Sequence, residues 1–570
     1  MQNRMMPRRL VVMGMALLSL TGCSKSKSQE GAAPATGTGT TAAAAKKSTS
    51  LTVTQEAQAS WIRNFNPLLA PGSARWPTRA GIYEPLFIYN TLKGEYVPWL
   101  ASKYEWSEGN KRLTLTARPE VKWSDGKPFS AKDIAFTFEL LKKHKALDLF
   151  GVWEFVDSVQ AKDDNTVDFN LKRAYVPGLI YIVHQPIVAE HAWKDVQDPV
   201  TYKNENPVGT GPFTEVKVFQ NQVFELGRNP NYWQPGKPAI EGLRFPAYPG
   251  NDQANLALTS GELDWAGNFV PDIERVYVSK DKDHNHFWFP LVGNTTTLYV
   301  NTKKKPFDDV RVRKALSMAI DRDQIVKVAM YNYTKPSDPT GLSDAHAKWL
   351  SPAAQAAGDW VKLDLAKANA LLDEAGFKRG ADGVRVGPDK QPLRYDINVV
   401  TGWSDWVRAV QIIATNLKEI GVDASLKTYD LSPYLERMQK GEYDITIGWT
   451  SEDPSPYYFY HDLMSTETLK PTGEVAARNW GRFANTEADA LFKAFEATSD
   501  AAEQKKLADQ MQMLFVQNAP IIPLFPGPSW GEYNTKRFTN FPSKENPYAK
   551  LTPNSSPENL FVLTEVKPNP

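Results

Sequence analysis

Apolar residues follow two rhythms along the chain. Residues 52–55 and 113–117 alternate with period two, which predicts strands. Residues 216–226 read as a hairpin turning at Gln220-Asn221. Ser130 with Asp133 three positions on is a capping box and predicts a helix to about residue 143. Asp308 is the expected cap of a long helical run to Val328, amphipathic through Val312, Leu316, Ala319 and Ile320.

The last third alternates more regularly. A strand at 393–400 leads to a helix capped by Ser404 and stopped at Gly421. A strand at 422–428, a short helix from Ser432 to Gly441 and a strand at 443–449 follow. Helices at about 487–497 and 501–517 precede an apolar strand at 521–525. Strands and helices joined by short loops predict a mostly parallel or mixed α/β sheet. No repeat of fixed period interrupts this pattern.

The first fifty residues differ. Arg4, Arg8 and Arg9 precede a short apolar run at 10–20, and Leu20-Thr21-Gly22-Cys23 follows at once. This reads as a signal peptide with a small-residue cleavage site, 1–22. The run is too short for a membrane span of about 20 residues. The site resembles a bacterial lipobox, which implies that Cys23 is lipidated and becomes the N-terminus. Cys23 is the only cysteine, so a disulfide framework and a cysteine-based zinc site are excluded. Residues 23–50, rich in Ser, Lys, Gly, Thr and Ala, are expected to be a flexible tether. Arg8-Arg9 is only a weak hint of twin-arginine export.

Composition narrows the class. With 42% hydrophobic and 23% charged residues the chain is globular and not disordered. A length of 570 residues predicts two to four domains. A net charge of +1 leaves no basic excess to neutralise phosphates, which excludes nucleic acid as the expected partner. Removing 1–22 takes away three arginines and no acid, so the membrane is reached through lipid and not a basic surface. Aromatic residues, at 11%, fill cores and also line sites for flat-faced ligands.

Catalytic signatures are nearly absent. Neither Gly126-Lys127 nor Gly236-Lys237 belongs to a phosphate-binding loop. Gly209-Thr210-Gly211 runs into Pro212 and reads as a turn. Gly527-Pro528-Ser529-Trp530-Gly531 matches the form of a nucleophile elbow, but those hydrolases place histidine after the serine, and the last histidine is His461. His284 and His286 lack further ligands at a recognisable spacing, so no metal and no cofactor is expected. An exported chain of this kind is expected to be a binding protein and not an enzyme.

Several blocks then identify a family. Arg63-Asn64-Phe65-Asn66-Pro67, Ile82-Tyr83-Glu84-Pro85-Leu86 and Lys122-Trp123-Ser124-Asp125-Gly126 resemble the family 5 solute-binding proteins of ABC importers. So do residues 206–213, Arg228-Asn229-Pro230-Asn231-Tyr232-Trp233 and the helical segment 310–322. The resemblance runs from about residue 51 to 565. Finer blocks at 187–196, 262–265, 269–273, 529–535 and 545–547 look most like the branch that binds cello- and chito-oligosaccharides.

The resemblance implies a two-lobed α/β clamshell of the type II periplasmic-binding form, with an extra subdomain on the first lobe. The expected boundaries are 51–95, 205–305 and 528–570 for lobe I, 96–204 for the subdomain and 306–527 for lobe II. Trp403 and Trp530 match positions that stack on sugar rings in the chitin-oligosaccharide binders. Arg63, Asn64, Asn66, Asn204 and Asn206 are candidates for the polar rim, and Trp449 and Tyr457 are further candidates. The segment 449–454 departs from the chitin-binding pattern. The expected function is capture of β-linked oligosaccharides for a permease and its ATPase subunits by a lipid-anchored, extracytoplasmic monomer. The alternative is an oligopeptide binder on the same scaffold, with Asp453 the candidate for a charged peptide terminus. A glycan-degrading lipoprotein and a partner of a sensor kinase are the remaining readings.

Overall fold

The computed structural model describes residues 50–55, 58–69, 78, 81–451 and 453–570. The expected signal peptide, Cys23 and nearly all of the expected tether lie outside the described residues. Ser50, the last tether position, already belongs to a strand.

Two mixed sheets organise two α/β lobes. The first has seven strands in the spatial order Asn285–Phe287, Glu532–Asn534, Trp265–Ala266, Ser50–Thr54, Gly242–Pro246, Val223–Arg228 and Phe213–Gln220. Ser50–Thr54 runs parallel to both of its neighbours. The second has five strands in the order Asp423–Tyr429, Arg394–Val400, Ile445–Trp449, Thr295–Val300 and Ile522–Pro526. Its first three strands are parallel, and helix Ser404–Glu419 connects the first two in sequence. Ile445–Trp449 is buried over all but its last residue, as a parallel strand covered on both faces should be.

A four-stranded antiparallel sheet forms the subdomain, in the order Ala101–Ser107, Arg112–Ala117, Thr166–Leu171 and Val156–Ala161. Period-two burial of Leu113, Leu115 and Ala117 matches the sequence pattern. Helix Ala131–Lys143 covers this sheet and opens with the expected capping box. Ser130 Oγ accepts from Lys132 N, and Asp133 accepts from Ser130 N at 2.9 Å. Gly209 and Gly211 allow a close backbone approach: a Cβ on them would lie 2.1 Å from Ile82 O and 2.3 Å from Gly81 O.

The polypeptide passes between the two large sheets through residues 288–294 and again through 527–531. These passages run side by side, joined by Gly527 N to Asn294 O at 2.7 Å, Ser529 N to Pro290 O at 3.0 Å and Trp288 N to Gly531 O at 2.9 Å. Strand Thr295–Val300 therefore pairs in the five-stranded sheet, although it falls within the 205–305 segment expected in lobe I.

Two helix starts also differ from expectation. Asp309, not Asp308, caps helix Val310–Ala319, which ends at Ile320 instead of running to Val328. Asp321 restarts the chain by accepting from Gln324 N. The buried Arg322 guanidinium donates to the carbonyls of Ser317, near the helix end, and of Val361 and Pro523 from two other segments. Ser404 is the first residue of its helix and not its cap.

Candidate functional site

A cavity of about 360 Å³ lies where the two lobes and the paired passages meet. The passages supply Gly293, Asn294, Gly527, Pro528, Ser529 and Trp530. Lobe I supplies Asn251, at the start of helix Asn251–Ser260, and Gly267, Asn268 and Phe269 after strand Trp265–Ala266. Lobe II supplies Trp403, Asp405 and Trp406 after strand Arg394–Val400, and Trp449 at the end of Ile445–Trp449. The C-terminal segment adds Lys550, Thr552, Asn554 and Ser555. Both lobes thus offer the carboxyl ends of parallel strands, where α/β sheets hold ligands.

The aromatic residues form two groups. Trp403 meets Trp406 edge-on at 4.9 Å between ring centroids and Trp449 at 6.1 Å, and Trp449 meets Trp480 at 5.4 Å. Trp530 packs edge-on against Phe289 at 4.8 Å and Phe269 at 5.7 Å. Trp403, Trp449 and Trp530 are each half-buried, so each has surface left for a ligand after packing.

Charge enters the cavity at two points. Asp405 is buried, and burial pushes its carboxyl up to about 6 against hydrogen bonds from the Trp406 and Asp405 backbone N–H groups and from Asn251. Lys550 is also buried and pairs with Glu558 at 3.4 Å. Glu558 is fixed in turn by Thr91, whose hydroxyl donates to it at 2.7 Å. Behind the wall, Glu532 is fully buried, and desolvation holds its carboxyl well above the usual range. Its Oε2 accepts from Asn268 N at 3.4 Å.

The structure brings three sequence candidates, Trp403, Trp449 and Trp530, into this cavity. The other six do not line it, and the polar groups of most are used within the fold. Asn66 is fully buried; its amide donates to Pro199 O at 2.9 Å and Tyr202 O at 2.8 Å. Asn64 Oδ1 accepts from Asn66 N. Asn204 adopts φ 50° and donates to Phe65 O and the Tyr83 hydroxyl. Arg63 donates to Glu205 O at 3.3 Å, and Asn206 is exposed. Tyr457 is fully buried, donates to Glu496 at 2.7 Å and stacks on Phe495 and His461. The asparagine-proline blocks thus organise loops, the competing use of those residue types. Asp453 accepts from the Ser451 hydroxyl at 3.0 Å and does not line the cavity.

Asn251, Asn268, Asp405 and Lys550 were not anticipated. Asp405 stands in the same Thr401–Trp406 block as Trp403, and Asn268 adjoins the Phe269 block. Nothing in the local pattern marks Asn251 or Lys550. The Gly527–Gly531 segment passes between strands Ile522–Pro526 and Glu532–Asn534, not into a helix, so it has no elbow geometry. Among the described residues, no three His, Cys, Asp or Glu side chains are grouped as metal ligands would be.

Comparison with known proteins places this geometry in context. Residues 95–470 match the pattern of the bacterial extracellular solute-binding proteins, family 5. The dipeptide-binding protein of Escherichia coli is 28% identical over 80% of this chain and 86% of its own length. The nickel-binding periplasmic protein of the same organism is 29% identical over 70% of this chain and 74% of its own. A Thermotoga maritima periplasmic oligopeptide-binding protein, solved with mannohexaose bound, superposes with a TM-score of 0.84 at 26% identity, covering 92% of this chain and 99% of its own.

Proposed function

The chain belongs to the family 5 bacterial extracellular solute-binding proteins, and on that premise we propose that its cavity captures short peptides. It is the solute-binding component of an ABC importer, acting outside the cytoplasm with a permease and ATPase subunits. The observation that carries the peptide reading is the extent of the likeness to the dipeptide-binding relative, over 80% of this chain. The cavity's charges agree with it: Asp405 offers a carboxyl to an ammonium, and Lys550 an ammonium to a carboxylate. In this reading Cys23 carries the lipid that ties the protein to a membrane. Lobe I, with the 96–204 subdomain attached, closes against lobe II over the solute.

A second reading, β-linked oligosaccharides, is favoured by a specific observation. Three half-buried tryptophans face one cavity, and a pyranose ring presents an apolar face suited to them. The Thermotoga relative named as an oligopeptide binder was solved with a hexasaccharide.

Calorimetry on the full chain separates the two, using trialanine, a mixed tripeptide pool, cellotriose, chitotriose and mannohexaose. Binding restricted to the peptides supports the main reading. Binding restricted to one sugar class overturns it in favour of the second.

A further inference from the structure

Two strand-to-helix turns, one from each lobe, touch beside the cavity. Residues 247–250 link strand Gly242–Pro246 to helix Asn251–Ser260, and residues 401–403 link strand Arg394–Val400 to helix Ser404–Glu419. Asn251 N donates to Gly402 O at 3.2 Å. The Asn251 side-chain amide reaches Ser404 Oγ at 3.3 Å and, at 3.5 Å, Asp405 Oδ1. Trp403 lies between the gripped residues and lines the cavity.

The glycines at this contact are informative. Gly250 has φ −171°, an extended conformation open to any residue, and Gly402 is not left-handed either. The backbone of each lobe therefore makes no demand for glycine here. The demand comes from the opposite lobe: a Cβ on Gly402 would stand 2.8 Å from Pro249 O and 3.1 Å from the Gly250 Cα. One on Gly250 would stand 3.2 Å from both the Gly402 Cα and its O. A side chain at Gly402 is excluded, and one at Gly250 is crowded, only while the lobes are together.

We propose that Gly250-Asn251 and Gly402–Asp405 form a clasp between the lobes, and that Asn251 is a positioning residue holding Trp403 against the bound solute. The proposal rests on the solute-binding reading above. Besides lining the cavity, Asn251 is thereby assigned a role in how long the solute stays.

The test uses the full chain carrying Gly402→Ala, Gly402→Val or Asn251→Ala. Small-angle scattering is recorded without solute and with whichever member of the calorimetric panel binds. Solute dissociation is followed by tryptophan fluorescence. Gly402→Val is expected to scatter as a more extended particle than the wild type. It should release solute at least about tenfold faster at a nearly unchanged association rate. Gly402→Ala and Asn251→Ala should fall between it and the wild type. The solute-free melting temperatures should stay within about 2 °C of the wild type, since neither lobe's own packing is disturbed. A Gly402→Val protein with wild-type scattering and wild-type release overturns the clasp. If no panel member binds, the solute reading fails by itself, and scattering of the solute-free proteins still decides the clasp: more extended supports it, identical overturns it.

Discussion

In the proposed function, single side chains set what the cavity discriminates. Trp403 reaches it from lobe II and Trp530 from the paired passages, and each keeps part of its surface free after packing. Replacing either by alanine should weaken solute binding by about 2 kcal/mol, the scale of an aromatic anchor, read by calorimetry. Asp405 makes the peptide reading depend on acidity. Its carboxyl titrates near 6, so attraction for a peptide ammonium should fade as pH drops through 6 and be lost in Asp405→Asn, while a neutral sugar should bind evenly across that range. Glu84 affects stability instead. It is buried, accepts from Trp99 Nε1 at 2.7 Å, Tyr232 OH at 2.9 Å and Trp233 Nε1 at 3.1 Å, and burial raises it from 4.5 to about 7. Raised in the fold, its contribution is fully present below pH 4.5 and fades as pH climbs to 7, by about 3 kcal/mol. Melting curves of Glu84→Gln should lack that share of the wild-type decline; an unchanged slope would falsify the assignment. At this scale the sequence singled out three tryptophans that line the cavity, because a large amphipathic ring outside a periodic apolar face has few other uses. It misassigned Asn66 and Asn204, because an amide that caps a loop and an amide that meets a ligand look alike until their partners are known.

Elements were more legible, since their signals are local. The Ser130–Asp133 box and the Gly441 stop carry their own chemistry and appear where expected, and the hairpin turns one residue later than expected, at Asn221-Gln222. The helix from Val310 was read too long because Arg322, whose buried guanidinium gathers carbonyls from three separate segments, acts through tertiary contacts that a linear pattern does not record. The capping box also shows how an element is tied to its surroundings. Ser130→Ala should cost about 1 kcal/mol in denaturant unfolding. Asp133→Ala should cost more, about 2–3 kcal/mol, because the same carboxylate also accepts from Glu190 N at 3.0 Å and Trp123 Nε1 at 3.4 Å. Equal losses would mean that those two contacts add nothing.

For the whole molecule, α/β alternation and the family blocks made the two-lobed architecture readable, whereas the assignment of Thr295–Val300 to a sheet was not. That strand is buried throughout, and burial alone does not say on which sheet. Binding should register globally: a solute at one hundred times its dissociation constant adds about 2.7 kcal/mol to unfolding, visible as a raised melting temperature, and Trp403→Ala should show less at the same solute concentration. The paired passages at 288–294 and 527–531 have a mechanical consequence. Two short chains bonded side by side bend readily across their plane and resist stretching along it, so they leave the lobes one soft direction of travel. Because the same passages floor the cavity, a solute seated there lies close to the pivot, where little moves. In the proposed closure, a rotation too small to disturb its contacts is multiplied with distance from the pivot, so the outer faces of the lobes would move furthest and would be where a permease distinguishes a filled cavity from an empty one.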